Sequence, residues 1–190
     1  LYAELVQNRS FEEKEMPEGY FVENGRLKPA PVKNHLSGRV NHDASFHWND
    51  EPVRAWSLQP ADEAVANMRL TKENPMFETA PNNLLVTINK ADKPVQLINE
   101  GYWGMNIEKG KIYTLRTIIR KSAGYKGTIT AKLLGKDGRV LDETSIDTNN
   151  DESWMDDLKV FEPTASDNEA RLVLEFDAPG KVWLDYVSLF

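Results

Sequence analysis

The chain has 190 residues, 40% of them hydrophobic, and a formal net charge of −7. That length suits one domain with a real core, while the negative charge, with no basic run to offset it, argues against a nucleic-acid partner. No apolar run is long enough to span a bilayer, which argues against a membrane partner, and the absence of Cys excludes disulfides and thiolate metal sites. The chain starts at Leu1 and stops on an apolar stretch, Val182 to Phe190. It reads as an excerpt from a longer protein, so the lack of a signal peptide says little about compartment.

In chain order, Leu1 to Gln7 fits either one or two helical turns or a short strand. Asn8-Arg9-Ser10 is formally a glycosylation sequon. Phe11 to Asp50 is polar, with Pro17, Pro29 and Pro31, and predicts a long loop with one short strand in it, a rim for a binding site. Strand signals then recur at short spacing. Val53 to Leu58 carries Trp56; Val65 to Thr71 turns Ala66, Met68 and Leu70 inward; Leu84 to Asn89 turns in Leu84, Val86 and Ile88. Thr128 to Leu134 and Val140 to Ile146 flank a turn at Lys136-Asp137-Gly138. Thr148 to Asp157 is acidic and loop-like. Ala170 to Phe176 alternates, with Leu172, Leu174 and Phe176 inward, and the last strand is Val182 to Phe190. About nine short strands separated by turn residues, with little helix, predict an all-β fold, a β-sandwich.

Val95 to Arg120 is the organising stretch. It predicts a hairpin: a strand, a turn at Glu108 to Lys111 and a longer strand. Val95, Leu97, Trp103, Met105 and Ile107 share one parity and are assigned to the core. The other parity holds Gln96, Glu100, Tyr102, Gly104 and Asn106, and the second strand adds Arg116 and Arg120. An aromatic beside amides, a carboxylate and guanidiniums suits a sugar ligand. Tyr102 is the stacking residue, because Gly104 lets a flat ligand approach the backbone. Asn99-Glu100 superficially resembles the acid/base pair of barrel glycosidases, but a hairpin strand is the wrong setting and Glu100 reads as non-catalytic. His35, His42 and His47 have no metal-ligand spacing. Trp48, Trp56 and Trp154 fall in or beside loops and either line a cleft or pin a loop to the core. Asp185 lies in a strand that is apolar on both faces, so it is half-buried and needs either hydrogen-bond donors or a cation such as calcium.

Several segments in this order resemble one family. LYAELVQNRSFE at Leu1 to Glu12 is similar to a segment near the start of α-L-arabinofuranosidases of glycoside hydrolase family 51. Asn74-Pro75 with LLVTINK, then NEGYWGMNIEKGKIYTL, then Trp154 with Phe161-Glu162-Pro163 and Ala170-Arg171-Leu172, and finally VWLDYVSLF, resemble the jelly roll inserted in those enzymes. That insert is related to carbohydrate-binding modules of families 4, 9 and 22. The resemblance implies a β-sandwich jelly roll at 13–190, preceded by a segment 1–12 leading in from the catalytic domain. The catalytic glutamates of that family match no position here. A structural calcium would map near Asn8, Ser10, Glu12 and Asp185, with Glu12 and Asp185 as ligands. The implied role is a non-catalytic domain that binds or positions arabinan or arabinoxylan, plant cell-wall polysaccharides. The ring would stack on Tyr102, with hydroxyls met by Gln96, Glu100, Asn106 and Arg116. The other role is a structural accessory that packs on the catalytic domain of the same chain and binds no sugar. An extracellular or periplasmic location goes with either.

Overall fold

The computed structural model describes residues 3–13, 20–23, 26–29, 46–47 and 53–190. His35, His42 and Trp48, and the side chain of His47, for which the sequence set expectations, lie outside the described residues. Three short strands, β1 (Tyr20–Glu23), β2 (Arg26–Pro29) and β3 (Phe46–His47), form a small antiparallel sheet. The stretch expected to be a long loop therefore holds three strands.

The remaining strands build two sheets with period-two burial, as expected for an antiparallel sandwich. The first sheet contains β4 (Trp56–Gln59), β7 (Val95–Asn99), β8 (Met105–Ile107), β10 (Ile129–Leu134), β11 (Val140–Ile146) and β13 (Asp167–Phe176). Its order is β11-β10-β13-β7-β4, with β8 also on β13. The second contains β5 (Ala66–Thr71), β6 (Asn83–Ile88), β9 (Tyr113–Lys121), β12 (Met155–Phe161) and β14 (Gly180–Leu189), in the order β12-β9-β14-β6-β5. Among the described residues there is no helix, and so none long and apolar enough to cross a membrane. The fold is a β-sandwich of the jelly-roll type. Between the sheets lie Leu84, Val86 and Ile88 of β6, Val95 and Leu97 of β7, Ile129, Ala131 and Leu133 of β10, and Leu172, Leu174 and Phe176 of β13, all buried. These are the inward sets that strand alternation predicts.

Three corrections matter for the site. First, Val95 to Arg120 is not a hairpin. Asn99 pairs with Leu172 and Met105 with Ala170, so β7 and β8 occupy one lane along β13. Residues 100–104 are looped out of that lane, facing Arg171. The turn after β8 then crosses to the other sheet, where β9 pairs with β12 and β14. Second, β12 is a strand where the acidic loop was expected to end and nothing further was assigned. Its apolar Leu158 and Val160 face out, while Asp157 is buried. Third, Leu1 to Gln7 forms neither helix nor strand over its described residues. Residues 3–13 are nevertheless tied into the sandwich. The Leu5 amide donates to the Leu189 carbonyl (2.8 Å) and the Val187 amide to the Arg9 carbonyl (2.9 Å). Phe11 packs against Trp56, ring centroids 5.5 Å apart, both fully buried. Asn8 of the sequon is buried as well, its amide donating to the Arg54 carbonyl (2.9 Å).

Candidate functional site

The outward residues of the first sheet form polar rows across the strands. Gln59 of β4 stands opposite Gln96 of β7, Gln96 opposite Glu175 of β13, and Glu175 opposite Thr130 of β10. The Gln96 side-chain amide donates to Glu175 Oε1 at 2.9 Å. Lys132 reaches Glu175 Oε2 at 2.9 Å and Glu143 at 3.5 Å. Burial pushes the Glu175 carboxyl up, but the hydrogen bonds from Lys132 and Gln96 and the lysine charge outweigh it and hold the group below the ordinary glutamate value. Over this row opens a groove of about 520 Å³, lined by Gln59, Gln96 and Glu175 from the sheet and walled by Pro60, Val65 and the β6–β7 loop with Lys90, Asp92 and Lys93. Its lining is rich in donors and acceptors and contains no aromatic ring. Such a cleft can hold a hydroxyl-rich ligand through paired hydrogen bonds, directly or across water.

The predicted contact residues do not converge. Gln96 lies in the groove. Glu100, Tyr102 and Asn106 are exposed and lie in or next to the looped-out segment, further along the same lane. Arg116 belongs to the other sheet. There its guanidinium makes two bonds to Asp156, 3.0 and 2.7 Å, and lies 5.5 Å from the centre of the Tyr186 ring. The assignment of Trp103 to the core is overturned: the residue is 60% exposed, because strand parity does not survive the loop-out. Tyr102 and Trp103 sit side by side, ring centroids 6.0 Å apart and planes inclined by 42°. Burial and the charges of Glu13 and Glu4 raise the Tyr102 phenol above its usual range, against the opposing charge of Arg9. Reading the residues in sequence missed Gln59, Glu175 and Lys132. Their signal was outward parity on three separate strands, which becomes a site only once β4, β7, β13 and β10 are known to be neighbours.

Asp185 and Glu12 meet at one corner of the second sheet. Asp185 falls where the β14–β9 register shifts, and it is buried rather than half-buried. One carboxylate oxygen accepts the Met76 amide at 3.0 Å. Burial raises the Asp185 carboxyl above the ordinary aspartate value; the Met76 hydrogen bond opposes this and the negative charge of Glu12 adds to it. Glu12 accepts the Asn82 amide at 2.8 Å and the Asn82 side chain at short range. Leu184 pairs with Leu84, so Asn83 stands next to Asp185 in the β14–β6 register. The Asn83 side-chain oxygen is buried and has no hydrogen-bond partner. Carboxylate and amide oxygens of this kind are hard donors, of the type a calcium ion takes in preference to a transition metal. Among the described residues, no three His, Cys, Asp or Glu side chains converge on a metal position.

No family model matches the chain. Over 95 residues, 50% of the chain, it is 33% identical to α-L-arabinofuranosidase 1 of Arabidopsis thaliana, 14% of whose length is covered. The fold overlays 100% of this chain on 26% of the arabinose-bound MgGH51 α-L-arabinofuranosidase, with a TM-score of 0.71 and 22% identity. It overlays 72% of this chain on 94% of a CBM4 module, with a TM-score of 0.52 and 18% identity. The chain thus spans only a minor part of the length of either enzyme.

Proposed function

We propose that this chain, similar in sequence to an α-L-arabinofuranosidase and in fold to a carbohydrate-binding module, is a carbohydrate-binding domain of a family 51 glycoside hydrolase and binds arabinose-containing plant polysaccharide on the outer face of its first sheet. It does so as a non-catalytic part of an extracellular or periplasmic glycoside hydrolase. The groove over Gln59, Gln96 and Glu175 carries this reading. Glu175 is held ionised and accepts hydrogen bonds from hydroxyl groups, and the two glutamine amides offer both donors and acceptors. Shallow wet sites of this kind bind with Kd on the order of 10 µM to 1 mM. Calorimetric titration with arabinoxylan and linear arabinan tests the proposal. Gln96→Ala is expected to weaken binding by about tenfold, the scale of a lost hydrogen bond to a charged partner together with its ligand contact. The pure chain is expected to release no arabinose from an aryl arabinofuranoside. No heat with either polysaccharide overturns the binding role.

A second reading has its own support. Ile112, Leu158, Val160 and Phe190 are exposed at one end of the second sheet, where Val160 stands opposite Thr114 and Thr114 pairs with Phe190. Contiguous apolar residues of this kind mark interfaces. In this reading the domain packs on the catalytic domain of its own chain through that corner. Calcium belongs to either role. Glu12, Asp185 and the Asn83 side-chain oxygen would hold it, and its charge would relieve the repulsion between the two carboxylates. Added calcium is then expected to raise the melting temperature of the wild type and to leave Asp185→Asn unchanged.

A further inference from the structure

The wall of the groove carries charge that its floor does not balance. Four charged side chains line it: Lys90, Asp92 and Lys93 on the β6–β7 loop, and Glu175 on β13. Glu175 is already engaged, by Lys132 at 2.9 Å and by the Gln96 side-chain amide at 2.9 Å. Among the described residues, the lysines in ion pairs are Lys111, Lys132, Lys136 and Lys159, and neither Lys90 nor Lys93 is one of them. Asp62 and Glu63 of the neighbouring β4–β5 loop are not part of the lining, and Asp62 accepts the Ala64 amide at 2.9 Å. Asp92 is then the one carboxylate left to offset two ammonium groups. The loop that carries them is held at both ends. The Asn89 and Lys90 amides donate to the Val65 carbonyl at 2.8 and 3.2 Å, and Ala91 packs against the core. At the far end Pro94, with its fixed φ, leads into the fully buried Val95. The backbone is thus fixed, while Lys90 and Lys93 themselves are exposed.

This placement runs against the charge of the whole chain, which is −7. A protein of that sign repels polyanions at long range, so an attraction for them has to come from a local excess of positive charge. To a neutral sugar an ammonium group is one more hydrogen-bond donor. To a sugar carboxylate it is also a counter-charge. Lysine is a compact charge on a flexible stem, so it meets a carboxylate without demanding one fixed orientation. That suits an acidic group spaced irregularly along a polymer. We propose that Lys90 and Lys93 form a uronate subsite on the groove wall, through which the domain favours polysaccharide bearing carboxylated sugars over the same polymer without them. This rests on the groove reading above. Each ion pair is open to water and therefore weak, worth about two- to fivefold in affinity.

Calorimetric titration of the 190-residue chain tests this with one arabinoxylan that carries glucuronate side groups and the same polymer after its carboxyl groups are reduced to alcohols. The arms are wild type, the double variant Lys90→Gln with Lys93→Gln, and Lys109→Gln, each checked for an unchanged melting temperature. Lys109 is exposed on the turn after β8, at the other end of the β7–β8 lane, so its variant removes a positive charge away from the groove. Carboxyl reduction is expected to weaken wild-type binding by about fivefold. The double variant is expected to bind both polymers alike, and Lys109→Gln to keep the wild-type preference. Raising the salt concentration should shrink that preference. Equal wild-type binding of the two polymers overturns the uronate subsite and leaves the groove standing. So does a preference that survives in the double variant, or one that Lys109→Gln lowers as much as the double variant does. No wild-type binding of either polymer overturns the groove and the subsite together.

Discussion

The two outer faces of the sandwich handle charge differently, although each carries a cross-strand ion pair. On the first sheet, cross-strand side chains mate with one another: Gln96 and Lys132 both meet Glu175, and Lys132 also meets Glu143. On the second, guanidiniums lie against rings. Arg120 is 3.8 Å from the centre of the Trp183 ring and 5.3 Å from that of Trp154, and Tyr186 receives both Arg116 and Arg9, at 5.5 and 5.6 Å. The outward Ile118 and Leu85 of this second face are buried. The contrast follows from chemistry. A compact ammonium pairs with a carboxylate across a strand, whereas a planar guanidinium spreads over an aromatic face and covers apolar neighbours with its stem. Around Arg120 the second face is sealed, while Leu158 and Val160 on its edge strand stay exposed. The first keeps polar groups of moderate size at its surface, and there a groove remains open.

The largest expected effect tests that seal. Arg120→Ala removes a buried guanidinium from between two indoles and is expected to cost about 2–3 kcal/mol in urea denaturation. Lys132→Ala on the open face is expected to cost about 1 kcal/mol or less. Equal costs would break the contrast. Next comes pH. Glu175 titrates below the ordinary glutamate range, so its contribution is present above that range and is lost as pH falls through the depressed value. The stability gap between wild type and Glu175→Gln should close on acidification. Asp185 titrates above the ordinary aspartate range, so it favours the fold at pH below that range and loses this contribution as pH rises through the raised value. Relative to Asp185→Asn, the wild type should weaken as pH rises. Denaturation midpoints measured in metal-free buffer from acid to neutral pH check both slopes, and slopes of the same sign would contradict the two environments. The smallest effect is at the rim. Arg116 and Asp156 form an exposed pair, and Arg116→Ala is expected to cost about 0.2–1 kcal/mol, shrinking further in high salt.

Strand alternation made most of the sandwich legible. Leu84, Val86 and Ile88, or Leu172, Leu174 and Phe176, can be assigned to the interior because a pleated strand sends alternate side chains to opposite faces. It failed at β12, whose apolar Leu158 and Val160 face out while the buried Asp157 accepts the Asp147 amide at 2.9 Å. A carboxylate satisfied by a backbone donor leaves no periodic signal. It failed again at Trp103, since residues looped out of a lane break the count. At Asp185 the apolar surroundings indicated half-burial, short of the full burial found, and the register shift explains why both parities of β14 looked internal.

Sequence by itself determined the all-β class, the positions of most strands, the buried carboxylate of β14 and the likeness to a family, because these depend on local periodicity and on short ordered motifs. Tertiary structure alone decided which strands are neighbours. That choice sent Arg116 to the second sheet, brought Gln59, Gln96 and Glu175 into one polar row within reach of Lys132, and left Tyr102 and Trp103 exposed on the loop between β7 and β8. Sheet order is set by pairings between strands far apart in the chain, as between β7 and β13, and no local spacing encodes them.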